Sequence, residues 1–291
     1  MGLGDLLRSL FGGKGLGVEE LARRLGMSAD DLRKVQPAYT VFTVPKRAGG
    51  TRRINAPDRA LKAVQRRILR RLLARLRAHP AAMGFERGRS IVTNALPHVG
   101  KAVVLRMDLQ DFFGTTSARR VRDYFRRIGW NGEAAYLLTR LCTHEGGLPQ
   151  GAPTSPRLSN LVNHKLDARL AGLARRFGAT YTRYADDLTF SFAADDAAAV
   201  RAVIRGTRKI VGTAGYTTHK RRKLNVRRAY QRQTVTGLVV NHSANLPRQT
   251  RRWLRAVEHH LAAGSKATLT PPQLKGWRAL QHMVEGQSQA G

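Results

Sequence analysis

The stretch Tyr181-Thr182-Arg183-Tyr184-Ala185-Asp186-Asp187-Leu188-Thr189-Phe190 constrains this chain more than any other. Tyr181, Thr182 and Tyr184 before the two acids, and Leu188, Thr189, Phe190 and Phe192 after them, favour strands. Neighbouring side chains on a regular strand point to opposite faces. A tight turn at Ala185-Asp186-Asp187 breaks that alternation and presents both carboxylates at one end of a sheet. Two carboxylates held together repel, and a bound cation offsets the repulsion. An Asp-Asp pair alone also fits an ordinary acidic turn, so its meaning depends on the rest of the chain.

A third acid is available. Lys101-Ala102-Val103-Val104-Leu105-Arg106-Met107-Asp108 reads as a buried strand ending in a carboxylate, followed by Leu109-Gln110-Asp111-Phe112-Phe113. Asp108 alone would be a turn starter; beside the hairpin acids it is the natural third carboxylate. Further on, Gly146-Gly147-Leu148-Pro149-Gln150-Gly151-Ala152-Pro153-Thr154-Ser155-Pro156 fixes an unusual backbone path. Ser155 is expected to cap a helix with Pro156 at its first position. Leu158, Val162, Leu166, Leu170, Leu173 and Phe177 give that helix one buried side, and Gly178 ends it. Its positive end suits phosphates or a base pair. Neither Ser155 nor Ser159 lies in the strand–turn–helix Gly-x-Ser-x-Gly setting of a nucleophilic serine.

Charge points to the partner. The formal net charge is +33, from 52 basic and 19 acidic residues spread along 291. Self-repulsion on that scale calls for a polyanion, and its spread reads as a long nucleic-acid surface. The hydrophobic fraction of 42% suffices for a buried core. No apolar run approaches the ~20 residues that span a bilayer, and the opening residues do not read as a signal peptide. A single cysteine, Cys142, rules out an internal disulfide framework and an all-cysteine metal site. A cytoplasmic protein without a membrane partner is expected.

The remaining elements follow in order. Residues 18–36 read as two short helices, with Gly26 ending the first and Ser28 capping the second; Asp30 and Asp31 at the second helix's start argue against a DNA-reading helix. Tyr39 to Ile54 reads as strand, glycine turn and strand, with Lys46, Arg47, Arg52 and Arg53 around the tip, a loop that fits phosphates and equally a solvated basic hairpin. A helix is expected from Ala60 to Ala78, its stripe Leu61, Val64, Ile68, Leu72 and Leu76 facing the core. Arg66, Arg67 and Arg70 lie on its basic remainder, either a solvated face or backbone contacts to nucleic acid, and the net charge favours the latter. Residues 118–143 and Val200 to Val211 are expected to be helical, Thr234 to Asn241 a strand, and 242–291 helical. There Trp253, Leu254 and Val257 form a stripe beside Arg251, Arg252 and Arg255.

In that order these stretches resemble the sequence blocks of reverse transcriptases. Tyr184-Ala185-Asp186-Asp187 resembles the Tyr-x-Asp-Asp box, Asp108 to Phe113 the first catalytic block, and Leu148 to Pro156 the long middle block. Three boxes in sequence leave coincidence negligible. Asn94-Ala95-Leu96-Pro97-His98 resembles the Asn-Ala-x-x-His signature of bacterial retron reverse transcriptases, and Val235-Thr236-Gly237 their second signature. After the hairpin the family's Gly-aromatic pair leads through an asparagine to a lysine. Here Gly215-Tyr216 leads to His219 and then Lys223, with Lys220 and Arg222 as competitors for the lysine.

The resemblance implies an α+β right-hand polymerase with fingers, a palm of antiparallel sheet plus helices, and a short helical thumb. The boundaries expected are a helical lead-in over 1–38, fingers over 39–100, palm over 101–241 with a fingers insertion at about 114–150, and thumb over 242–291. It implies RNA-directed DNA polymerisation, two Mg²⁺ ions (Mn²⁺ able to substitute) held by Asp108, Asp186, Asp187 and the Leu109 carbonyl, and deoxynucleotide substrates. Lys46, Arg52, Asp111, Phe112, Phe113, Gln150 and Lys223 would bind the nucleotide, with Phe113 excluding a ribose 2′-hydroxyl and so disfavouring RNA synthesis. Asn94 and His98 join Arg66, Arg67, Arg70, Arg251, Arg252 and Arg255 as nucleic-acid contacts, although His98 alone reads as a satisfied structural histidine. Retron likeness further implies a structured non-coding RNA as template and primer, a branched RNA–DNA product, and phage defence with a separate effector protein. Only fifty residues follow Asn241, too few for an RNase H domain beside a thumb. The rivals are another bacterial reverse transcriptase (intron-type or diversity-generating) and a catalytically silent RNA-binding scaffold.

Overall fold

The computed structural model describes residues 15–46, 49–219 and 224–289. Lys220, Arg222 and Lys223 lie outside them. The chain forms two compact units, one from Met1–His79, Gln110–Asp167 and Gly212–Tyr216, the other from Pro80–Leu109, Ala168–Val211 and Thr217–Gly291. Among the described residues the strand–strand ladders are antiparallel and the other regular structure is mainly helix, an α+β fold.

In the first unit, helix α1 (Val18–Leu25) buries Val18, Leu21, Ala22 and Leu25, and Gly26 ends it at φ 66°. Helix α2 (Ala29–Lys34) is capped by Ser28, whose Oγ accepts from the Asp31 amide at 3.0 Å. Strands β1 (Tyr39–Pro45) and β2 (Thr51–Pro57) form a hairpin whose tip is turned by Gly49 and Gly50 at φ 86° and 77°. Helix α3 (Arg59–Arg71) starts on Asp58, which accepts from the Leu61 amide at 2.7 Å. It is shorter than its periodicity predicts. A single 3₁₀ turn over Leu73–Arg75 follows, and Arg157 donates to the carbonyls of Leu73 and Leu76, occupying acceptors that a continuing helix would use. Within the second unit the short helix α4 (Ile91–Ala95) and strand β3 (Val103–Asp108) come next in the chain. Back in the first unit, α5 (Phe112–Thr115), α6 (Ala118–Arg127), α7 (Gly132–Cys142) and α8 (Ser155–Val162) complete a core with Leu61, Ile68, Phe125, Leu138, Leu141 and Leu158.

The helix expected from Ser155 to Phe177 is two helices. Its N-cap is Thr154 rather than Ser155, and α8 stops at Asn163 before α9 (His164–Arg176) begins. Asn163 bends the path by donating from Nδ2 to the Ser159 carbonyl and to the Tyr216 hydroxyl, at 2.8 and 2.9 Å.

The second unit is built on a four-stranded sheet in the order β4-β5-β3-β6, from β4 (Ala179–Tyr184), β5 (Asp187–Phe192), β3 and β6 (Asn225–Arg228). Helix α10 (Ala197–Thr213) begins on the Asp196 carboxylate, which accepts from the Ala198 and Ala199 amides. The strand expected over Thr234 to Asn241 is instead a hairpin, β7 (Thr234–Val235) against β8 (Leu238–Val239). Thr236 and Gly237 turn it with φ 46° and 85°, the paired positive angles of a two-residue loop. Helices α11 (Arg248–Ala262) and α12 (Pro271–Gln289) pack through Leu254, Trp253, Trp277 and Val284 onto Val235, Leu238 and Val240. Among the described residues no helix is long and apolar enough to cross a membrane.

His98 braces this sheet from beneath. Thr182, Thr189 and Ser191 share one face by register, and the fully buried His98 ring lies 2.7 Å from Ser191 Oγ and 2.8 Å from Thr182 Oγ1. Burial, and secondarily the charge of Lys101, push His98 down to about 3. An unfolded histidine titrates near 6.5. The stabilisation is therefore complete above that pH and is lost as pH falls toward 3, at up to about 1.4 kcal/mol per pH unit. Thermal melting between about pH 4.5 and 6.5 should steepen with acid in the parent more than in His98→Gln; parallel curves would contradict the assignment.

Candidate active site

Register brings the acids together. Asp108 at the end of β3 pairs directly with Asp187 at the start of β5, and the Leu109 amide donates to the Asp186 carbonyl at 3.0 Å. Tyr184 and Asp187 are the last paired residues of the β4–β5 hairpin, so Ala185 and Asp186 are its whole loop. Ala185 takes φ 56°, a conformation costly for a residue with a Cβ. Arg183, fully buried, supports it by donating from Nη1 to the Ala185 carbonyl at 3.0 Å. Residues 81–83 line the outer side of β4: the Arg183 amide donates to Ala81 O at 2.7 Å, and the Met83 amide to Arg183 O at 2.8 Å. Gly84 follows there, where a Cβ would come within 3.1 Å of the Ala185 nitrogen.

Directly opposed carboxylates destabilise a sheet unless cations intervene. Arg106, two residues before Asp108 on the same face, donates from Nη2 to Asp187 Oδ2 and from Nε to Oδ1 at 3.4 Å. His219 approaches Asp108 Oδ1 with Nε2 at 3.3 Å, and its amide donates to the Asp108 carbonyl at 3.0 Å. Among the described residues no group of three or more His, Cys, Asp or Glu is arranged to hold a metal. The donor chemistry nevertheless fits a hard divalent cation: carboxylate oxygens at 19% side-chain exposure on Asp108 and Asp187, open to water and phosphate oxygens.

The nucleotide-binding candidates other than Lys223 fall in the first unit, tied together by the loop 144–151. Lys46 sits at the β1–β2 tip, its amide donating to Gly50 O at 2.9 Å, and Arg52 lies exposed on β2. Gln150 O accepts from the Asn55 amide on the same strand at 2.8 Å. Glu145 holds Arg53 of that strand through two bonds of 2.6 and 2.7 Å. The Leu148 amide in turn donates to Phe113 O and Thr116 O, both at 3.2 Å. Asp111 is exposed at φ 39°, Phe112 is buried and Phe113 half-buried against it, ring centroids 5.4 Å apart.

Of the nucleic-acid candidates, Arg66, Arg67 and Arg70 are exposed on α3 and Arg251, Arg252 and Arg255 on α11. Arg67 already donates to Gly26 O at 3.0 Å. Asn94 and His98 sit differently from these arginines. Both are buried, and His98 spends both ring nitrogens inside the protein. Asn94 faces Thr236 at 3.4 Å, and Thr236 Oγ1 donates to Ile91 O at 2.9 Å. Their apolar surroundings signal burial, and the two motifs, distant in sequence, pack against one another as structure.

Several supporting contacts join residues far apart in the sequence. Tyr216 stacks on Phe112 at 5.7 Å, and its hydroxyl meets Thr116 Oγ1 at 2.6 Å and Asn163 Nδ2 at 2.9 Å. Arg120 lies 4.8 Å over the Tyr216 ring and donates to Asn163 Oδ1 at 2.6 Å. Gly147 lies backbone to backbone against Gly114, leaving no room for a Cβ. Spacing gave no sign that Arg106 would reach Asp187.

Residues 44–221 match the family described as Reverse transcriptase (RNA-dependent DNA polymerase). The chain is 41% identical to the retron Mx65 reverse transcriptase of Myxococcus xanthus, the match covering 91% of this chain and 68% of that one. It is 39% identical to the retron Mx162 enzyme of the same organism, over 92% of this chain and 64% of that one. The retron Ec86 reverse transcriptase of Escherichia coli is 35% identical, over 86% and 78%. In fold, telomerase from Candida albicans superposes with a TM-score of 0.52 at 11% identity, over 80% of this chain and 51% of that one.

Proposed function

Because the chain belongs to the retron-type reverse transcriptases, which are RNA-directed DNA polymerases, we propose that Asp108, Asp186 and Asp187 carry out nucleotidyl transfer at the end of the β3–β5 pair. The observation that carries this reading is the direct cross-strand pairing of Asp108 with Asp187, Asp186 lying in the adjoining two-residue loop. Reverse transcriptases use divalent metal ions, and Mg²⁺ is the ion proposed here. Bound ions would activate the primer hydroxyl and stabilise the departing pyrophosphate. The three carboxylates and the Leu109 carbonyl would hold them, Arg106 and His219 releasing the oxygens they engage in their absence.

The other residues position the substrate. Lys46 and Arg52 on the β1–β2 hairpin supply positive charge for the triphosphate, and Gln150, fastened to the same hairpin, steadies the nucleotide. Asp111 and Phe112 shape the turn that presents Phe113, and Phe113 fills the space a ribose 2′-hydroxyl would need. Phe113→Val or Phe113→Ala should raise ribonucleotide incorporation relative to deoxynucleotide by roughly tenfold to a hundredfold. Single-nucleotide extension on a primed RNA template measures it, and an unchanged ratio removes the gate.

The template and primer would be a structured non-coding RNA, held by the exposed arginines of α3 and α11, and the product a branched RNA–DNA molecule. In these terms residues 39–100 would be fingers, 101–241 with the β4-β5-β3-β6 sheet the palm (about 114–150 an insertion of the fingers), and 242–291, holding α11 and α12, a thumb. A cytoplasmic role in phage defence, with a separate effector protein, completes the reading. Purifying the protein and characterising the nucleic acid that accompanies it tests this: a branched RNA–DNA hybrid supports it, whereas linear cDNA or RNA alone counts against it.

A further inference from the structure

The turn after β6 presents a tyrosine that the polymerase reading leaves without a task. Tyr230 is 81% exposed, and no other exposed large apolar side chain lies in residues 224–241. The turn beneath it is firmly built. The Ala229 amide donates to Ala102 O at 2.9 Å, the Gln231 amide to Arg228 O at 2.9 Å, and the Arg228 amide to Gln231 Oε1 at 3.2 Å. Asn241 Nδ2 spans the turn, donating to Ala229 O at 2.9 Å and Gln231 O at 2.8 Å. Gln233, fully buried, donates to Lys101 O at 2.9 Å and Arg227 O at 3.1 Å, and its own amide donates to Asn241 Oδ1 at 2.9 Å. Such a polar framework fixes the backbone, and the ring it displays stands largely in solvent.

The surroundings are basic. Arg227 and Arg232 are exposed on either side. Arg228 is held by Asp195 at 2.6 Å. A protein-binding hot spot would need a surrounding apolar rim to exclude water; Ala229, Gln231 and Arg232 provide none. An aromatic face flanked by arginines is instead the combination that holds single-stranded nucleic acid, a base stacking on the ring and phosphates meeting the guanidinium groups. Arg228 pairs with Val103, the opposite end of β3 from Asp108. Five residues of strand put about 17 Å between this turn and the carboxylates.

We propose that Tyr230, with Arg227 and Arg232, is a stacking site for an unpaired base of single-stranded RNA, separate from the acidic end of the sheet. It rests on the reading of this chain as an RNA-handling polymerase. Oligo(U) RNA bearing 5-iodouridine, irradiated with the full-length protein, should give an adduct mapped to Tyr230. By fluorescence anisotropy, Tyr230→Ala should weaken oligo(U) binding by roughly fivefold to a hundredfold with an unchanged salt slope, and Tyr230→Trp should restore it. Arg227→Gln should lower the salt slope by about one. Binding of Tyr230→Ala within twofold of the parent, or adducts only elsewhere, overturns the site, even if the tyrosine proves to contact a protein. Primer extension by the parent is measured alongside. Extension with no Tyr230 adduct rejects this site alone; neither extension nor RNA binding rejects it together with the polymerase reading.

Discussion

Asp186→Asn is expected to abolish DNA synthesis, lowering the rate of primer extension by on the order of 10³-fold or more, while RNA binding stays within about twofold. The amide has the shape of the carboxylate, and the Asp186 carbonyl still accepts from the Leu109 amide, so the two-residue loop keeps its form. The substitution removes charge only, at the loop where Ala185 already sits at φ 56°. Binding is governed elsewhere, by a formal charge of +33 that one neutralised acid raises by a single unit. Extension on an RNA template and filter binding of the same RNA separate the two. Synthesis retained near the parental rate would remove Asp186 from the site. A parallel loss of both would show that the loop folds differently.

That loop was legible because its signals are local. Strand-forming residues on either side of two acids leave few ways to place a turn, and Asp108 closes a run whose apolar character already reads as a buried strand. What escaped depends on register or on distant partners. Arg106 reaches Asp187 because β3 and β5 pair Asp108 with Asp187, and spacing within β3 says nothing of that. Periodicity runs straight through Asn163, but its amide bonds a tyrosine 53 residues away and the helix ends there. Val235-Thr236-Gly237 reads as strand because threonine favours strands, yet Thr236 takes φ 46°, held by its hydroxyl on Ile91 O. The burial of Asn94 and His98 was likewise not legible: His98 meets Ser191 and Thr182, 93 and 84 residues away, and Asn94 faces Thr236, 142 residues away.

Gly147→Ala is expected to be the most damaging single-methyl change in the first unit. A Cβ at Gly147 would sit inside the Gly114 carbonyl, 2.8 Å from its carbon and 3.1 Å from its Cα, all backbone atoms that cannot swing aside. Overpacking of this kind costs typically about 1–3 kcal/mol and more where only backbone can yield. The strain falls on one small assembly. Gly146 O accepts from the Ala118 amide at 2.8 Å, and the Leu148 amide holds Phe113 O and Thr116 O. Displacing the loop therefore moves the turn that carries Phe113, and through Gln150 and Glu145 it loosens the hairpin bearing Lys46 and Arg52. Gly146→Ala is the matched control: Gly146 has φ 79° and nothing within 4 Å of a Cβ, so only the left-handed backbone strain of about 1–2 kcal/mol applies. Thermal melting should place Gly147→Ala below Gly146→Ala, and extension assays should show lost deoxynucleotide addition in the former beyond what its folded fraction explains. Equal melting and equal activity in the two variants would mean that contact with Gly114 does not govern the position of Phe113.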